Sequence, residues 1–172
     1  PLYSSAASDV YKRQLALADD ALCLDLSAMK GIHADPVSRT ARVQPGSNWG
    51  DVDREGQVHG LAVPSGIVST TGVAGLTLGG GFGWTTRKYG LTSDNLLSAD
   101  LVLADGRLVR ASADENPDLF WAIRGGGGNF GVVTSFEFRM QPVGPQVVAG
   151  MVLHRLDDAR KVAGLFRQVT EA

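Results

Sequence analysis

A single cysteine, Cys23, is the only thiol in the 172-residue sequence, which excludes an internal disulfide and any cysteine-rich zinc centre. It lies in the apolar run Ala21-Leu22-Cys23-Leu24, where a small buried thiol is expected. The three histidines, His33, His59 and His154, are far apart and lack metal-ligand spacing, so no metal site is expected. No apolar run approaches the ~20 residues of a membrane span, and no basic region followed by a long apolar one marks a secretory signal. The cytoplasm is therefore the expected compartment. A net charge of −2 gives no electrostatic reason for a nucleic-acid or anionic-membrane partner. Without a Gly-x-Ser-x-Gly elbow a hydrolase has little support, and without Gly-x-x-x-x-Gly-Lys-[Ser/Thr] a P-loop is excluded. Asp51, Asp53 and Glu55 fall two apart on a predicted helix, which spreads them around it as a solvated face.

Glycine is plentiful. Between Gly66 and Gly83 stand seven glycines, interleaved with small apolar residues and the hydroxyls Ser69, Thr70 and Thr71. Glycine loses the most freedom on folding, so this density makes sense where bare backbone must take positive φ or approach something closely. Backbone N–H groups gathered in that way form a concavity suited to phosphate or pyrophosphate. A flexible linker is the alternative. Against it, Leu76, Leu78, Phe82 and Trp84 would be wasted in a solvated linker. With 44% hydrophobic and 20% charged residues, the rest of the chain is globular in composition.

Around this stretch the elements follow in order. Ala21 to Leu26 reads as a short strand. Ile32-His33-Ala34 and Thr40 to Val43 flank Asp35-Pro36 as a hairpin. Asn48 caps a helix, with Asp51 completing a capping-box-like pair and Gly60 ending it. Ala99 to Arg110 contains two apolar runs joined by Asp105-Gly106, a hairpin signal. Asn116-Pro117 opens a short helix ended by Gly125. Gly126-x-Gly128-x-x-Gly131 matches a dinucleotide fingerprint, but a helix precedes it and Val132 to Met140 alternates like a strand, so the Rossmann context fails. A strand from Val147 to Leu153 and an amphipathic helix with Ala159, Val162, Ala163, Phe166 and Val169 on one face are expected last.

Several motifs in the same order carry a resemblance. They are Pro64 to Trp84, Lys88-Tyr89-Gly90-Leu91-Thr92-Ser93-Asp94-Asn95-Leu96, Asp105-Gly106, Asn116-Pro117-Asp118-Leu119-Phe120-Trp121, and Arg124 through Gly131. The chain resembles FAD-linked oxidases with the vanillyl-alcohol-oxidase-like (PCMH-type) FAD domain, in the berberine-bridge-enzyme-like and 6-hydroxynicotine-oxidase-like branch. The resemblance spans roughly Leu15 to Pro145. It implies an α+β fold holding the second subdomain of that domain and part of the first, truncated at both ends. Residues 1–14 are expected to be a non-native leader, poorly packed, standing where the family carries an Arg-x-Gly-Gly-His-type pyrophosphate loop. Residues 146–172 are expected to begin a substrate domain.

The resemblance also implies FAD as cofactor. Thr70, Thr71, Gly72, Val73, Ala74, Gly75 and Leu76 would follow its pyrophosphate and ribityl chain. Leu78, Gly79, Gly80 and Gly81 would lie close under it, and Gly131, Val132 and Val133 would meet the adenine end through backbone. Two positions depart from the family. Val68 replaces the cysteine that some members bond to the flavin, and Phe82 replaces a tyrosine able to assist proton removal. The implied parent is an oxidase taking a hydride from a C–N or C–O bond of a small organic substrate and passing electrons to dioxygen. Its catalytic group is expected beyond residue 172, and this chain alone is expected to bind FAD weakly or not at all. A non-catalytic flavin carrier or a glycine-rich scaffold is the alternative. Oligomeric state is not legible.

Overall fold

A computed structural model describes residues 23–171. The expectation for residues 1–14 and the first part of the strand expected from Ala21 lie outside that range. Cys23 to Leu26 form no strand, and Cys23 is exposed rather than buried.

The Asp35-Pro36 hairpin is present as β1 (Ile32–Asp35) and β2 (Thr40–Val43), paired antiparallel. Asp35 organises the turn, accepting from Val37 N–H at 2.8 Å and from the Ser38 hydroxyl at 2.7 Å. Helix α1 (Trp49–Gln57) begins after Asn48, but the Asn48 side chain makes no capping hydrogen bond. The capping box is therefore not formed, and Asp51 instead faces Arg54 at 3.3 Å. Gly60 takes positive φ just past the helix and turns the chain into β3 (Leu61–Ala62).

The Asp105-Gly106 hairpin joins β4 (Leu96–Val102) to β5 (Leu108–Ser112), with Gly106 at φ +82°. Helix α4 (Pro117–Ile123) follows Asn116 at the cap position, where Asn116 sits at φ +50° and donates from its side chain to Arg110 O. The Gly126–Gly131 run then leads into β6 (Val132–Arg139) and the short β7 (Gln141–Pro142). A strand rather than a helix after the run is what the sequence pattern predicts.

Strand order is β1-β2-β6-β4-β5 in one sheet and β3-β7 in another, and every pairing is antiparallel. Helices and an antiparallel sheet share one core, which is the α+β class. Its centre is Trp49 of α1 against Phe138 of β6, with ring centroids 5.5 Å apart, and Phe136 stacked on Phe138 at 5.7 Å. Alternation in β2 buries Ala41 and Val43 while leaving Arg42 exposed. The outer sheet face carries ion pairs, Arg42 with Asp100 and Arg110 with Glu137.

Two expectations for the C-terminal part differ. Residues 147–153 form no strand, and Val147, Val148, Met151, Val152 and Leu153 are exposed. Helix α5 (Ala159–Glu171) forms, but Phe166 and Val169 on its apolar face are exposed and none of its described residues is buried. Periodicity produced a helix; it did not supply a partner for the face. No helix among the described residues is long and apolar enough to cross a membrane.

Candidate functional site

The glycine-rich stretch is ordered as a short helix between two bends. Gly72 is extended and bridges to Asn48, with Trp49 N–H donating to Thr71 O and Val73 N–H to Ser47 O, both at 3.0 Å. Helix α2 (Val73–Leu78) starts there, with Val73, Ala74 and Leu78 in the core and the Thr77 hydroxyl donating to Val73 O at 2.7 Å. The first-turn N–H groups of an α-helix have no acceptor within the helix. Ala74 and Gly75 N–H find no acceptor among the described residues. Gly79 closes the helix, and Gly80 and Gly81 follow at φ +99° and +72°, ahead of the single turn α3 (Thr86–Tyr89).

The glycines differ in what they face. A Cβ on Gly83 would come within 1.8 Å of Ser65 O, and one on Gly81 within 2.5 Å of Thr92 Oγ1, so internal packing requires glycine at both. A Cβ on Gly75 or Gly80 meets no protein atom within 4 Å. Gly75 sits in a helix, where alanine is preferred by ~1 kcal/mol, and packing against the described residues gives it no reason to be glycine. An outside group approaching the bare backbone would. Thr92 Oγ1, against Gly81, is buried with no hydrogen-bond partner.

The second glycine run joins the first. Gly127 N–H donates to Leu78 O at 2.9 Å, bringing the loop before β6 to the end of α2. Gly131 lies farther off, beside Val102 at the end of β4, where a Cβ would meet Val102 O at 2.8 Å. Val132 and Val133 pair with Val102 and Leu101 on one edge. On the other edge β2 reaches only Phe136, so residues 132–135 have no strand partner there among the described residues. The Val133 side chain is buried, so only backbone is offered at that position, as it is at Val73, Ala74 and Leu78. Thr70, Gly75 and Gly79 are exposed, Thr71, Leu76 and Gly81 half-buried, and Gly72 and Gly80 buried.

Three side chains differ from the sequence reading. Phe82 and Trp84 are 67% and 81% exposed, so neither is part of the core and they do not argue against a linker. Order in the stretch comes instead from Leu78, Thr77 and the backbone bonds to Ser47 and Leu78 O. Asp53, expected on a solvated face, is half-buried and lines an open cleft of about 320 Å³ with Gln57, Ser65, Trp84 and Thr85. Burial pushes its carboxyl above the ordinary value, and it has no hydrogen-bond or ion partner among the described residues. Val68, the position without a thiol, is exposed. No group of histidines, cysteines or carboxylates that could hold a metal ion occurs among the described residues. Sequence reasoning missed Asn95, which is buried at the hub of the turn beside Gly80 and Gly81; its signal was a polar residue amid the quoted motif.

Residues 4–112 match the sequence model of the FAD binding domain family. The chain belongs to that family. The match opens at residue 4, ahead of Leu15, where the motif resemblance begins. A relative, (R)-6-hydroxynicotine oxidase of Paenarthrobacter nicotinovorans, is 41% identical over 157 residues, covering 91% of this chain and 34% of that protein. The crystal structure of 6-hydroxy-D-nicotine oxidase from Arthrobacter nicotinovorans superposes with TM-score 0.72 at 46% identity, over 74% of this chain and 28% of that one. Xylooligosaccharide oxidase from Myceliophthora thermophila, solved with xylobiose, gives TM-score 0.63 at 45% identity, over 68% of this chain and 25% of that one. The likeness is to PCMH-type FAD oxidases, as the motifs imply, and the chain spans only about a third or less of their length.

The residues present fit FAD. Gly75 and Gly80 leave open space over bare backbone, and the amides of Ala74 and Gly75 have no acceptor among the described residues. Donors of this kind suit a pyrophosphate, because several weak positive dipoles converge without a bulky side chain between them.

Proposed function

We propose that this chain supplies one wall of the FAD site in an oxidase that oxidises a C–N or C–O bond of a small organic molecule, with dioxygen as the electron acceptor. A bound flavin would supply the hydride-accepting chemistry, and this chain's residues would supply position and electrostatics. In this reading the amides of Ala74 and Gly75 donate to the pyrophosphate, with Val73 and Leu76 following the ribityl chain. Gly80 and Gly81 let the backbone come close beneath the ring system, and the free backbone edge at Val132 and Val133 meets the adenine end. Thr70, Thr71, Gly72 and Gly79 shape the path between. The observation that carries the reading is Gly75, a helical glycine that the described packing leaves free, inside a segment matched to an FAD-binding family. Support for the bond type comes from the relatives' names, one an amine-containing nicotine derivative's oxidase and one a saccharide's.

Fluorescence quenching of FAD titrated with the chain tests the cofactor, with Gly75→Leu as the paired variant. FAD is taken to millimolar concentration because one wall alone is expected to bind weakly; quenching that the variant lacks supports the site, and measurable quenching equal in both refutes it. For the reaction, anaerobic bleaching of the flavin absorption by an amine or a saccharide in a flavin-loaded preparation, reversed by air, is expected. Bound flavin that no amine, alcohol or saccharide bleaches would mark a carrier instead.

A further inference from the structure

The turn from Tyr89 to Asn95 is tied on two sides. Toward the glycine stretch, Thr92 N–H donates to Gly81 O and Ser93 N–H to Gly80 O, both at 2.9 Å. Toward β7, Tyr89 Oη donates to Pro142 O at 3.1 Å and Gln141 Nε2 to Asn95 Oδ1 at 3.0 Å. Asn95 is 2% exposed and joins the two sides. Its Nδ2 donates to both Tyr89 O and Leu91 O at 2.9 Å, closing the turn on itself. Glycine permits φ +99° and +72° at Gly80 and Gly81 but does not enforce them. Among the described residues, the carbonyls of that pair are held only by Thr92 and Ser93.

We infer that Asn95 is a positioning residue for the cofactor: by closing the Tyr89–Asn95 turn it holds Thr92 and Ser93 where they set the backbone of Gly80 and Gly81. The inference rests on the reading of the glycine stretch as an FAD site. Its logic is preorganisation. A site made of bare backbone has no side-chain rotamers to lock, so its geometry must come from the hydrogen bonds behind it. An apolar residue at position 95 would leave the Tyr89 carbonyl without its donor and Leu91 O with the Asp94 N–H alone, and an aspartate would set negative charge against both. Neither preserves the turn.

The test compares Asn95→Ala with Val43→Ala, a packing change in the core of β2, in the full chain. Thermal unfolding, FAD affinity by quenching with FAD titrated to millimolar concentration, and amide exchange of the segment 79–82 are measured for each. At matched thermal destabilisation, Asn95→Ala is expected to weaken FAD binding by about tenfold more than Val43→Ala, which is about 1.4 kcal/mol. It is also expected to speed exchange at 79–82, which Val43→Ala leaves unchanged. Gln141→Leu removes only the donor to Asn95 Oδ1 and is expected to fall between them; it carries the comparison if Asn95→Ala does not fold. Equal loss of affinity per degree of melting temperature, or unchanged exchange at 79–82, overturns the inference. Where the wild-type chain, as one wall of the site, binds too little FAD to titrate, the exchange comparison at 79–82 decides whether Asn95 sets the pair.

Discussion

Gly127 N–H donates to Leu78 O at 2.9 Å. One bond thus joins two glycine-rich runs separated by the β4–β5 hairpin and α4. It satisfies a carbonyl at the end of a six-residue helix that has few intrahelical bonds of its own. Gly127 holds φ +74°, with nearest contact at 3.8 Å from a would-be Cβ. The penalty for Gly127→Ala is therefore conformational rather than steric, about 1–2 kcal/mol. In a chain of this size each kcal/mol lost lowers the melting temperature by about 2–4 °C. A variant melting as high as the parent would show that the loop adapts freely.

Gly75→Ala separates folding from binding. The position is helical with no atom within 4 Å, so alanine should raise stability by about 0.4–1 kcal/mol. The same methyl should lower FAD affinity by crowding the bare backbone. Calorimetry and quenching on one sample read both effects. Unchanged affinity would remove Gly75 from the site.

Gly83→Ala is expected to be far worse than Gly106→Ala. At Gly83 the methyl overlaps Ser65 O at 1.8 Å, and backbone on both sides must move. At Gly106 nothing lies within 4 Å, and only the positive φ is strained. Denaturant midpoints of the two variants settle the order.

Asp53 sets a pH dependence. Burial raises its pKa in the folded chain, so between the unfolded and the folded value the folded state holds the proton more firmly. Stability from this group is present at low pH and is lost as pH rises above about 4 through that window. Asp53→Asn should melt higher than the parent at pH 7 and show a smaller fall in melting temperature from pH 4 to pH 7. A parent and variant with parallel profiles would mean that the Asp53 carboxyl is fully hydrated in both states.

Local chemistry made much of this chain legible in its sequence. Asp35-Pro36 and Asp105-Gly106 specify their hairpins because few residues satisfy tight turns. The alternation of Val132 to Met140 specifies a strand because one sheet face is buried. The glycine density from Gly66 to Gly83 speaks for close approach to a ligand, and the resemblance carried by that stretch and the motifs after it names the FAD-binding family. Burial and partners were not legible, since they depend on residues distant in sequence. Nothing local distinguishes Trp49, buried against Phe138, from Trp84, which is 81% exposed. The apolar run at 147–153 has strand composition but no strand beside it among the described residues, and a strand cannot satisfy its backbone alone. Asp53 looks like its solvated neighbours until the fold places it in a cleft. Asn95 reads as one polar residue in a motif until the tertiary structure brings β7 to one side of its turn and Gly80 and Gly81 to the other.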